Sequence, residues 1–189
     1  MLLEKAINIF DIDDTILVSG ARIKVTNRKT GETYELTPQE FNTYKKTPDE
    51  DVDFSDFQDL EIMKGGKIID WVFNIMKRTI KKGKPVGVIT ARDSAKLIHD
   101  FLSSHGVRIN RDYIFAINDP SLNFKGSTAQ KKQQAFKKFI DMGFNDFAFF
   151  DDDIENIELA KALKQKEGIK MRTRHIKQKW IPNFSEFKK

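Results

Sequence analysis

Three short stretches carry the residues that could do chemistry. Asp11-Ile12-Asp13-Asp14-Thr15 closes an apolar segment, Thr90-Ala91-Arg92 closes a second, and Asp151-Asp152-Asp153 closes a third. Each presents carboxylates, or a hydroxyl and a guanidinium, just past a β-like run. Runs of like charge repel themselves unless something compensates them. A divalent cation is the natural compensation, and donors that are all oxygen suit Mg2+. One Asp after a strand is commonly just a helix N-cap. Three acidic or polar runs delivered to one rim ask for more than capping.

The elements that must position them read as follows. Ala6–Ile12 alternates β-formers, and Pro85–Thr90, Tyr113–Ile117, Asp146–Phe150 and Ile169–Ile176 are short apolar or β-branched runs, so all five are expected strands. Between them, Lys67–Lys81, Asp93–His105, Thr128–Met142 and Ile154–Lys166 carry apolar residues at helical spacing, and glycines follow each. Strands alternating with helices imply an α/β fold: a doubly wound, Rossmann-like parallel sheet with helices on both faces. In such sheets ligands sit outside the carboxyl ends of the strands, where the three stretches fall. Ile23–Arg28 and Thr33–Thr37 flank Lys29-Thr30-Gly31-Glu32 and predict a hairpin. Thr37-Pro38-Gln39-Glu40 predicts a capped helix running to about Lys45. Thr47–Gly66 shows no period and is expected to be irregular. Trp180 and Phe184 are expected to pack the tail.

Composition narrows the class. The chain has 189 residues, 39% hydrophobic and 32% charged, with 16 Phe, which suits one domain over 1–189 with a small insertion at about 17–66. The absence of Cys excludes disulfides and thiol nucleophiles, and His99, His105 and His175 do not cluster for zinc. No apolar run approaches the ~18 residues that cross a bilayer. Met1-Leu2-Leu3-Glu4-Lys5 lacks a secretory pattern, so a cytoplasmic protein without membrane contact is expected. Residues 161–189 hold ten Lys/Arg against two Asp/Glu, while 49–61 hold seven acids and no base. The basic end could meet nucleic acid, although a solvated Lys-rich face is the simpler reading. The acidic window reads as a mobile solvated loop.

The order of these stretches resembles the haloacid dehalogenase-like phosphohydrolases over about residues 6–176. Asp11-Ile12-Asp13-Asp14-Thr15 is similar to their D-x-D-x-T motif, Val86-Gly87-Val88-Ile89-Thr90 to the second, and Asp151-Asp152-Asp153 to the acidic fourth. Lys131 and Lys132 both lie where the third motif places its basic residue. Lys132 shares a helix face with Phe136, Phe139 and Ile140, which favours it.

The resemblance implies roles. Asp11 would be the nucleophile and Asp13 the general acid and base. Thr90 would bind a phosphoryl oxygen, and Lys132 would neutralise the developing charge. Mg2+ would be held by Asp11, the Asp13 carbonyl and Asp152 directly, with Asp151 acting through water or from behind. Asn156 stands where many members have another Asp, which weakens or loses that contact. Substrate would meet Thr90, Ala91 and Arg92, although Arg92 could equally be a surface residue.

The hairpin would be the family's flap, with a minimal cap leaving an open site. Leu36–Tyr44 and Asp53-Phe54-Ser55 are further similar to small phage-type members and to the phosphatase domain of polynucleotide kinase. No G-x-x-x-x-G-K-[ST] loop accompanies them, so no kinase half is expected. The implied activity is a Mg2+-dependent phosphomonoesterase acting on a nucleotide or a nucleic-acid 3′-phosphate. A small-metabolite phosphatase and a catalytically silent nucleic-acid-binding module are the alternatives.

Overall fold

The computed structural model describes residues 4–177; the expected packing of Trp180 and Phe184 lies outside them. β1 (Ala6–Phe10) sits at the centre of a five-stranded sheet, all of whose pairings are parallel. The chain then makes the two-residue β2 (Leu17–Val18) and an antiparallel insert. The insert comprises β3 (Ile23–Asn27), β4 (Thr33–Leu36), α1 (Pro38–Thr43), β5 (Glu50–Asp53), a 3-10 turn at Ser55–Gln58 and α2 (Leu60–Lys64). It closes on β6 (Lys67–Ile68), which pairs back onto β2. Regular alternation follows: α3 (Asp70–Lys81), β7 (Val86–Thr90), α4 (Ala95–Ser104), β8 (Ile114–Ala116), α5 (Thr128–Asp141), β9 (Asp146–Asp151), α6 (Ile154–Glu167) and β10 (Lys170–His175).

The sheet order is β10-β9-β1-β7-β8. From β1 the chain steps one way to β7 and β8, then the other way to β9 and β10. The topological switch point therefore lies between β1 and β9, where an α/β sheet offers its ligand crevice. Side-chain alternation splits each central strand between two cores. Ile7 and Ile9 join Phe136, Phe139, Phe147 and Phe149 under α5 and α6. Phe10 stacks on Phe150 at 4.5 Å between ring centres on the other face, under α3 and α4. In the first core the rings meet edge to face: Phe136 on Phe149 at 4.9 Å and Phe139 on Phe115 at 5.0 Å. Gly87 makes room for this layer, because a Cβ there would lie 2.7 Å from the Phe139 ring.

The hairpin forms as its turn residues dictate. Gly31 takes φ 74, a left-handed value that suits glycine, and its N–H bonds Asn27 O at 2.8 Å. Thr37 caps α1 in a reciprocal box with Glu40.

Two expectations need correcting here. Lys67–Ile68 is a strand, and the helix begins only at Asp70, because β2 offers those two residues a ladder first. The acidic window 49–61 is not a mobile loop. Its β5 makes a third strand against β3, and its acids have local partners. Asp49 pairs with Lys29 at 2.7 Å, Asp51 with Arg28 at 3.3 Å, and Asp56 with Lys24 at 3.2 Å. Asp59 caps α2 by accepting from the Glu61 and Ile62 amides.

Candidate active site

The site begins where β1 runs out. The Asp11 amide still bonds Phe150 O at 2.9 Å, so Asp11 stands one step past the β1–β9 ladder. The chain then turns sharply over Ile12, whose carbonyl accepts from the amides of Thr15, Ile16 and Leu17. Asp14 takes φ 55 in this turn, a conformation that Asp tolerates better than most residues. Ile12 is fully buried between the two carboxylates that flank it.

Lys132 comes to this point from the first turns of α5. Its Nζ lies 3.0 Å from Asp11 Oδ1 and 2.6 Å from Asp151 Oδ2, and all three side chains are buried. Lys131 instead donates to Asn118 Oδ1 at 2.7 Å, and Asn118 in turn bonds the carbonyl of Ala91. The helix phase thus selects Lys132 for the acids and places Lys131 at the edge of the same rim.

Asp151 is fully committed. One oxygen takes Lys132, while the other accepts from the Asp153 amide at 2.9 Å and from Asn156 Nδ2 at 3.0 Å. Asp152 accepts from the Thr15 hydroxyl at 3.3 Å. Asn156 therefore orients Asp151. Its own Oδ1 is the one buried side-chain oxygen, among the described residues, that has no partner.

The acids of the cluster resist ionisation together. Burial holds the Asp11 carboxyl well above its ordinary range; Lys132 opposes this, and the charges of Asp151, Asp152 and Asp13 add to it. Burial, with the charges of Asp151 and Asp14, pushes Asp152 up to about 7. Burial alone would lower Lys132, but Asp11 and Asp151 outweigh it and hold the ammonium above its usual range. One lysine does not satisfy three acids. Oxygen atoms of Asp11, Asp151 and Asp152 lie within 4.8 Å of one another, a spacing that could hold a metal ion. The all-oxygen donor set and the resisted charge fit a metal ion there.

From β7, Thr90 is fully buried at the strand end, and Ala91 is exposed beyond it. Arg92 is a buried residue and not a surface one. Its guanidinium forks onto Asp13, with Nε to Oδ2 at 2.9 Å and Nη2 to Oδ1 at 2.8 Å. The same group donates to Phe57 O in the insert, and its Cζ sits 5.5 Å from the centre of the Phe57 ring. Beside it, Gln58 donates to Asp93 at 2.6 Å. Arg92 is thus the tie between the rim and the insert.

Sequence reasoning left Thr15, Asn118 and Phe57 without roles. Thr15 could have been assigned one, since it stands inside the first acidic stretch. Phe57 and Asn118 are one aromatic and one amide among many and carry no local signal. Two shallow surface cavities, of about 490 and 350 Å3, share no residue with the rim. No protein-family model and no curated protein matches the chain, which leaves the geometry of the rim as the argument for what it does.

Proposed function

We propose that the chain is a Mg2+-dependent phosphomonoesterase of the haloacid dehalogenase-like kind, acting on a nucleotide or a nucleic-acid 3′-phosphate. The observation that carries this reading is the Lys132 bridge. A buried ammonium joins Asp11 to Asp151 across the topological switch point, with Asp13 held two residues away by Arg92. Nothing in the packing of a parallel sheet requires three carboxylates, a lysine and an arginine there.

Asp11, the Asp13 carbonyl and Asp152 would hold the cation, with Asp151 supporting it. The ion would neutralise phosphoryl oxygens and the mutual repulsion of the acids. An Asp11 oxygen attacks phosphorus, and the bond from phosphorus to the ester oxygen breaks. Asp13 gives its proton to that leaving oxygen. Water then attacks the aspartyl-phosphate, Asp13 takes a proton from it, and the bond from Asp11 to phosphorus breaks to release phosphate. Lys132 stabilises the charge on Asp11 and the phosphoryl group, and the Thr90 hydroxyl donates to a phosphoryl oxygen. Arg92 engages both Asp13 oxygens and so fixes the plane in which Asp13 meets the leaving group. In this reading the insert is the flap with a minimal cap, docked on the rim through Arg92 and Phe57.

The test is phosphate release from 3′- and 5′-phosphorylated oligonucleotides, mononucleotides and sugar phosphates, with Mg2+ and with EDTA. Release should need the metal and vanish in Asp11→Asn. Appreciable turnover by a clean preparation of that variant overturns the assignment.

A further inference from the structure

α5 and α6 flank a shallow groove on the face of the sheet away from the insert. The 350 Å3 cavity between them is lined by Lys125, Lys137, Lys166 and three glutamines, with no carboxylate in its wall. Gln130, Gln133, Gln134 and Lys137 recur at helical spacing, so they form one face of α5.

The floor is already built. Gln130 accepts from the Ser127 amide at 2.8 Å, Gln134 donates to Lys125 O at 2.6 Å, and Gln133 donates to Leu159 O at 2.9 Å. These bonds hold the wall without using the ammonium groups. Lys137 has only a distant carboxylate, Glu167 at 3.9 Å. Among the described residues, no carboxylate lies within ion-pair reach of Lys125 or Lys166.

The groove joins the rim within one turn of α5. Gln130 lines it, Lys131 reaches the rim at Asn118, and Lys132 holds Asp11. Charge on the molecule is divided in the same sense. The insert, residues 19–66, has seven basic and ten acidic residues, whereas residues 125–177 have twelve basic and eight acidic. A polyanion entering the rim is repelled from one side and drawn to the other.

We propose that the α5–α6 groove is a single-strand track: the nucleic acid whose 3′-phosphate sits at Asp11 leaves across Lys131 and along Lys125, Lys137 and Lys166, away from the insert. This rests on the phosphomonoesterase reading for the position of the end, but not for the binding of the strand. From Gln130 to Lys137 the helix runs about 10 Å, long enough for successive phosphates of a strand to pass along it.

The experiment has two arms. In the first, kcat/KM is compared for a 3′-phosphorylated octanucleotide and a 3′-mononucleotide, in wild type and in Lys125→Gln/Lys137→Gln/Lys166→Gln. The ratio of octanucleotide to mononucleotide should fall at least tenfold in the triple variant. It should hold in Lys81→Gln/Lys82→Gln/Lys84→Gln, which removes the same charge from the end of α3, on the opposite face of the sheet. In the second, binding of an unphosphorylated fluorescent octanucleotide is titrated with salt. The slope of log K against log[salt] should shrink by about two in the groove variant, at ~0.7 per phosphate. If no substrate turns over, the enzymatic reading fails while the second arm still decides the track. An unchanged ratio and slope overturn the track, as do equal effects from both triple variants. Competition by polyglutamate as strong as that by oligonucleotide points to an acidic protein instead and likewise overturns it.

Discussion

Along β1, β7 and β9 almost every side chain is buried among Ile, Val and Phe, whereas the three strands of the insert bury only Ile23, Val25 and Glu50. The parallel sheet is held by apolar area and ring packing. The insert is held by ion pairs, capping bonds and a cluster in which Tyr34 and Tyr44 gather on Glu50. The same contrast recurs in the two cations at the rim. Lys132 is enclosed with acids it must neutralise, while Arg92 spans the boundary and ties a part-exposed Asp13 to the insert. Solvent can take over from a lost partner in the second region but not in the first.

The largest expected effect is at Lys132. Lys132→Met leaves Asp11 and Asp151 buried and uncompensated, which should cost about 3–5 kcal/mol in urea unfolding with EDTA present. In the insert, Lys24→Met should leave the global midpoint within experimental scatter; a comparable loss there would erase the contrast.

Mg2+ comes next. A cation bound only by the folded rim should stabilise the protein by about 2.7 kcal/mol at hundredfold excess over Kd. Asp11→Asn/Asp152→Asn should abolish that gain, while insert variants keep it. Gly87→Ala should cost about 1–3 kcal/mol, since the new methyl meets the Phe139 ring at 2.7 Å.

Arg92→Met should cost less in global unfolding than Lys132→Met, because the Asp13 it leaves is part-exposed. It should speed proteolysis within residues 44–59 severalfold and lower turnover on the order of 10²-fold by freeing Asp13. Intact protease resistance there would mean the insert docks by other contacts.

The smallest effect is local. Hydrogen bonding to the Tyr44 hydroxyl and the Thr47 amide holds Glu50 down to about 2. Its contribution to the insert is therefore complete above the ordinary Glu value near 4.5 and is lost as pH falls through about 2. Glu50→Gln should remove that pH dependence from the near-ultraviolet signal of Tyr34 and Tyr44.

This division also explains what could be read from the chain. Strands such as Val86–Thr90 and helices such as Thr128–Asp141 announce themselves because burial imposes a period on their residues. β5 was illegible. Glu50-Asp51-Val52-Asp53 has the composition of a loop, and it becomes a strand through its ladder on β3, with Val52 opposite Val25 and Arg28 and Lys29 pairing its acids and Asp49. The acids of the rim were legible as strand ends, and Lys132 as a helix phase. The Arg92 fork was not, because Asp13 lies 79 residues away and nothing local distinguishes a buried guanidinium from a solvated one.

The central position of β1 also affects how the chain is made. Its flanking strand β9 lies some 140 residues further along, as the bond between Lys5 and Asn145 records. At ~5–20 residues per second, a ribosome takes roughly 7–30 s to supply that neighbour. Throughout that interval Ile7, Ile9 and Phe10 have an unfilled edge beside them, open to any other strand that can pair. Synthesis of this fold is therefore most exposed to misassociation early, and a chaperone that shelters a short apolar segment would act on β1 before any site exists.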